Sequence, residues 1–144
     1  DSNTAVGRYA LVLNTTAGAN TAVGMFSLDA TTTGGCNTAV GQASLGANTT
    51  GNSNVAVGRE AGSRNQGLAA VAIGAQAGLN NQGNNSITIN ATGNELINTS
   101  ANVTVIKPVA IKSTGTLPSG GTLPSGFFYT VYNPTTGELA YWSP

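Results

Sequence analysis

The side chains best suited to acid–base chemistry in this 144-residue chain are five carboxylates: Asp1, Asp29, Glu60, Glu95 and Glu138. Two carboxyls held about 5–10 Å apart could hydrolyse a glycosidic bond. These five lie far apart in sequence, so only assembly of several chains could bring Glu60 close to a copy of itself. There is no histidine, which excludes a Ser-His-Asp arrangement and any His-based metal site. The lone Cys36 excludes an intrachain disulfide framework and a cysteine zinc site. No Gly-Lys-Ser/Thr follows the glycines, so they form no phosphate loop. The Asp in every repeat that marks calcium-binding solenoids is also missing. The residues therefore point to no enzyme, no cofactor and no metal site.

Binding is a different matter. Arg8, Tyr9, Met25, Phe26 and Arg59 follow glycines at fixed spacing yet vary in type, which a purely architectural position need not do. They are the candidate ligand contacts. The pairs Thr15-Thr16, Thr32-Thr33 and Thr49-Thr50 recur every 17 residues. They read as a polar turn ladder, with a hydroxyl array for ice or sugar as the sharper alternative. Only 7% of residues are charged and formal net charge is zero, against roughly 25% charged in average proteins. No basic stripe exists to track a phosphate backbone, which argues against nucleic acid. No apolar run approaches the roughly 18 residues of a membrane span, so no membrane insertion is expected.

The elements that must position these residues are set by a repeat. "NTAVG" occurs at 3–7, 20–24 and 37–41, and "NVAVG" at 54–58. Aligned glycines Gly7, Gly24, Gly41, Gly58 and Gly74 are separated by 17, 17, 17 and 16 residues, and one more step of 16 reaches Asn90. Such a period signals stacked coils, that is, an all-β parallel β-solenoid. Before each glycine stands Val6, Val23, Val40, Val57 or Ile73, preceded by Ala5, Ala22, Ala39, Ala56 or Ala72. The Val/Ile face is expected to fill the interior, and the Ala face to admit a neighbouring backbone. The segments "RYAL", "MFSL", "QASL", "REAG" and "AQAG" suggest a second strand per coil. Recurrent Gly and β-branched residues rule out long helices.

A coil this small has a thin core, too little to offset chain entropy comfortably in a monomer. The Ala positions are therefore assigned to a homotrimer interface. Cys36 reads as a small filler, since the equivalent slots hold Ser2, Ala19, Ser53 and Ala69. The opening "DSNTAVGRYA" already belongs to the repeat, so a segment excised or processed from a longer chain is expected.

Four regions follow: repeats over 1–90, an irregular β connector over 91–114, a Gly/Pro linker over 115–126 and a C-terminal hairpin over 127–144. The linker is a tandem "GTLPSG". "NPTTG" at 133–137 marks a turn between two strands, Phe127–Tyr132 and Glu138–Trp142. Three such hairpins would pack their rings, among them Phe127, Tyr129 and Trp142, into a plug at the trimer interface. An aromatic carbohydrate platform is the alternative.

The units "NTAVGRYAL", "NTAVGMFSL", "NTAVGQASL" and "NVAVGREAG", with "VAIGAQAG" at 71–78, resemble two families. One is the head repeat of trimeric autotransporter adhesins. The other comprises phage and large-virus tail fibres or spikes that end in a self-cleaving intramolecular chaperone. The first resemblance implies a left-handed β-roll joined side by side in trimers. "VYNPTTGELAYWSP" looks like the junction just before the chaperone and favours the viral fibre. The resemblance implies a structural and host-recognition segment at the virion surface, or else a bacterial cell surface. Its partners would be two further copies of itself and a host cell-surface glycan or envelope component. A polysaccharide-degrading tailspike fragment is a further reading. The unit differs from adhesin heads in its 17-residue length and in lacking heptads after the repeats.

Overall fold

The computed structural model describes residues 2–64, 67–107, 129–132 and 139–142, the last two segments by their backbone alone. Seven short strands are strung along the first 107 residues: β1 (Thr4–Val6), β2 (Thr21–Val23), β3 (Thr38–Val40), β4 (Val55–Val57), β5 (Val71–Ile73), β6 (Ile87–Asn90) and β7 (Thr104–Lys107). They form one parallel sheet in chain order, so each coil of the chain adds one rung to a β-solenoid. Register follows the repeat: Thr4, Ala5 and Val6 pair with Thr21, Ala22 and Val23, and so on down the sheet. A β-branched residue on either side of each alanine suits a pleated strand.

Glycine ends the strand for a steric reason. Gly41 stands at φ 136°, and a Cβ there would lie 2.6 Å from the carbonyl carbon of Gly58 on the next rung. Rungs can stack this closely only if the corner carries no side chain.

The core reverses the expected polarity of the strand. Ala22, Ala39, Ala56 and Ala72 are fully buried inside a single chain, whereas Val6, Val57 and Ile73 are 57, 40 and 41% exposed. The alanines therefore cannot be the surface between chains. Ala5 is exposed, but it shares this inward column and faces the open end of the first rung. The reason is the return segment of the coil. It turns Leu11, Leu28 and Leu45 inward, and these occupy the space against the strand. Opposite a leucine there is room for a methyl group only.

Those return segments are not strands. Residues two and four after each glycine have left-handed backbone, as in Tyr9 (φ 61°) and Leu11 (φ 54°), Phe26 (φ 59°) and Leu28 (φ 50°), and Ala43 (φ 53°) and Leu45 (φ 49°). Left-handed residues cannot continue a pleated ladder. Their amides instead bridge rungs in alternating directions: Phe26 N–H donates to the Arg8 carbonyl at 3.0 Å, and Leu28 N–H to the Ser44 carbonyl at 3.1 Å. The conformation costs roughly 1–2 kcal/mol per non-glycine residue, which these hydrogen bonds and leucine burial offset.

Much of the rest of the interior is polar, and among the described residues only Asn54 Nδ2 and Gln82 Oε1 are buried side-chain atoms without a partner. Asn20 Oδ1 accepts the N–H of Asn37 at 2.9 Å, and Asn37 Oδ1 that of Asn54 at 2.9 Å. Their amides donate to the carbonyls of Gly34 and Gly51, both at 2.9 Å. Where leucine gives way to Gly78, the buried Gln82 takes its place, and a Cβ on Gly78 would lie 2.8 Å from Gln82 Cδ.

The sheet runs past residue 90, where the repeat was expected to end. β7 pairs in parallel with β6, with Val105 in the alanine column beside Thr88. The connector is thus partly a further rung. β8 (Tyr129–Tyr132) and β9 (Leu139–Trp142) pair antiparallel, with Tyr129 opposite Trp142. Phe127, the 115–126 linker and the 133–137 turn lie outside the described residues.

Candidate functional site

Every coil leaves its glycine through the same corner, which stacks two columns of side chains. One column is Arg8, Met25, Gln42, Arg59 and Ala75, the other Tyr9, Phe26, Ala43, Glu60 and Gln76. The second column is fixed at φ 53–61° throughout. Its amides beyond Tyr9 each bond the first column one rung back, such as Glu60 N–H to the Gln42 carbonyl at 2.8 Å. This corner thus repeats one backbone conformation on every rung, with Phe26, Ala43, Glu60 and Gln76 half-buried and Tyr9 exposed.

Four of the five candidate ligand contacts meet at one end of it. The rings of Tyr9 and Phe26 stack with centroids 5.2 Å apart and an interplanar angle of 21°. The Arg8 guanidinium lies 4.6 Å from the Tyr9 centroid, and its Nη2 donates to the Tyr9 hydroxyl at 2.9 Å. Cation–π attraction and ring stacking each contribute on the order of 1 kcal/mol at exposed sites. Met25 lies beside Phe26 and is 39% exposed. Arg59 is separated from this cluster by the Gln42 rung.

Arg59 belongs instead to a polar group that sequence reasoning did not assemble. Its Nη1 lies 2.9 Å from Glu60 Oε2, and the same oxygen accepts Gln76 Nε2 at 2.8 Å. The pair is exposed enough to add little stability, but it holds a carboxylate in a fixed place. A second column nearby links Arg64 Nη1 to Asn80 Oδ1 at 3.2 Å, and Asn80 in turn to Glu95. Counting one and two positions past each glycine would have grouped these residues.

Glu60 and Glu95 thus have structural partners of their own. Asp29 is partly buried, which pushes its carboxyl above the usual 3.8, with its own N–H and that of Ala30 pulling the other way. Among the described residues no group of three His, Cys, Asp or Glu could hold a metal ion, and no helix is long and apolar enough to cross a membrane. The threonine ladder is occupied along the axis: Thr15 Oγ1 donates to the Thr32 carbonyl at 2.8 Å, and Thr32 Oγ1 to the Thr49 carbonyl at 3.2 Å. Those hydroxyls serve the next rung, as a turn ladder does. Cys36 is exposed at φ 60° on the corner shared with Ala19, Ser53 and Ala69.

The remaining feature is the outer face of the sheet. Val6, Val40, Val57 and Ile73 line one column and Val55 and Ile87 the adjacent one, all exposed. A flat ladder of β-branched side chains on a parallel sheet is a surface normally covered.

Comparison with protein families, with curated proteins and with solved structures found no match.

Proposed function

We propose that this chain is a structural and recognition segment of a trimeric viral fibre or spike, which binds a cell-surface glycan multivalently and without chemistry. The observation that carries the reading is the exposed Val/Ile face of the parallel sheet. A solenoid whose return segments turn in a leucine on only the first three rungs has little interior to bury, and three copies facing inward would bury these ladders around a common axis. The interface is thereby moved from the alanines to Val6, Val23, Val40, Val57 and Ile73. In that arrangement the coil is a left-handed β-roll and the 127–144 hairpin caps the axis. Neither the sheet nor its hydrogen bonds would change.

Recognition falls to the variable corner, which carries aromatic and guanidinium groups while the sheet face stays uniform. Three corners per fibre would multiply weak affinities. The "VYNPTTGELAYWSP" stretch supports the viral setting. The "VAIGAQAG" rung equally suits the head of a bacterial trimeric adhesin, whose trimer would use the same face.

Retention of the intact chain on isolated cell-envelope polysaccharide tests the reading. Binding should weaken at least tenfold when Val57→Glu makes the protein monomeric. Equal retention of monomer and trimer would contradict multivalent recognition.

A further inference from the structure

The corner column contains a gap of one side chain. Tyr9 and Phe26 touch as stacked rings, and Glu60 and Gln76 touch through a hydrogen bond, but Ala43 between them carries only a methyl group. Tyr9, one rung back, stacks on one face of Phe26, and Ala43 is the next residue of the column beyond Phe26. Two rungs separate Phe26 from Glu60, about 9–10 Å at about 4.8 Å per rung. Subtracting contact distances of about 3.5–4 Å on each side leaves a slot one ring thick. Along the column Phe26 stands on one side of it and Glu60 on the other, with Ala43 and its neighbour Gln42 on the rung between. Glu60 Oε2 is taken by Arg59 and Gln76, and Oε1 has no partner among the described residues.

We infer that this slot binds one neutral pyranose ring, the inference resting on the recognition function proposed above. A pyranose presents a face of C–H groups and a rim of hydroxyls. The C–H face suits the electron-rich face of Phe26. A hydroxyl at the opposite side can donate to Glu60 Oε1, and Gln42 can serve a second. The Arg59 charge is balanced by Glu60 at 2.9 Å, so that side offers no net charge to favour an anionic sugar. The bound ring completes the column in the place where a third aromatic residue would stand. One ring of about a dozen heavy atoms gives millimolar affinity per site, consistent with a device that works by multiplicity.

The column also supplies the test. Ala43→Phe fills the slot at a backbone angle that Tyr9 and Phe26 already adopt, so it should fold and extend the stack. Saturation-transfer NMR on the intact chain, with methyl glycosides of glucose, galactose and mannose as probes, should show millimolar binding of at least one. That binding should fall more than tenfold in Ala43→Phe with the thermal midpoint unchanged or raised. Phe26→Leu should weaken it at least fivefold and keeps the test valid if the first variant misfolds. Unchanged binding in either folded variant, absence of binding at tens of millimolar, or preference for a uronic acid would overturn the slot. Retention on envelope polysaccharide by Ala43→Phe would separate the two ideas, sinking the slot while leaving multivalent recognition standing.

Discussion

Asn37 Oδ1 accepts the backbone N–H of Asn54 one rung away at 2.9 Å, while its own amide donates to Gly51 at 2.9 Å. Asn20 and Asn37 are thus buried brackets joining successive coils, and the half-buried Asn3 makes the same link to Asn20. The next coil is one residue shorter, and Asn54 Nδ2 has no partner among the described residues. Asn37→Ala should therefore cost about 1–3 kcal/mol, since it leaves the buried N–H of Asn54 unpaired, while the Gly51 carbonyl still accepts from Asn48 Nδ2. Asn54→Ala should cost at least 1 kcal/mol less, because it also removes an unsatisfied donor. Urea unfolding of both variants checks the order.

The corner conformations make two opposite expectations. Gly41→Ala places a Cβ against the Gly58 carbonyl at φ 136°, and should destabilise by about 3 kcal/mol from strain and overpacking. Ala43→Gly relieves a left-handed alanine at φ 53°, and should stabilise by about 0.5 kcal/mol after the added freedom of the unfolded chain is subtracted. Thermal midpoints should move down for the first and up slightly for the second.

Asp29 gives a pH signature. Burial raises its folded pKa above 3.8, so the folded state holds its proton more tightly than the unfolded state. Stability from this group is present at low pH and declines as pH rises from about 3.8 through the raised value. Asp29→Asn should flatten that part of the profile and raise the midpoint near neutral pH. Denaturant midpoints of both proteins at pH 3 to 7 would show it, and parallel profiles would contradict it.

The sequence was informative where residues repeat and misleading where two readings share one pattern. The pairing of Thr21 with Thr38 and Val23 with Val40 follows from the 17-residue step alone. That Ala22 and Val23 face opposite ways is also legible, from the strand period of two. Which of them lies inside is not, because Leu28 on the return segment decides it. "MFSL" reads as a strand from propensity, yet rung-to-rung bonds at Phe26 and Leu28 hold both in left-handed backbone. The rung at Thr104–Lys107 could have been found by adding 17 to Ile87; the missing glycine and alanine hid it. Phe26, Ala43 and Glu60 become one slot only when the coils are stacked in register.

The outer sheet face carries the central claim, and mass in solution tests it most directly. Light scattering on the intact chain should give three times the 14.3 kDa of one copy. Val57→Glu, which sets three carboxylates against one another across the interface, should give a folded monomer with its β spectrum retained. A wild-type monomer, or a trimer indifferent to charge at Val57 and at Ile73, would show that this face is not where the chains meet.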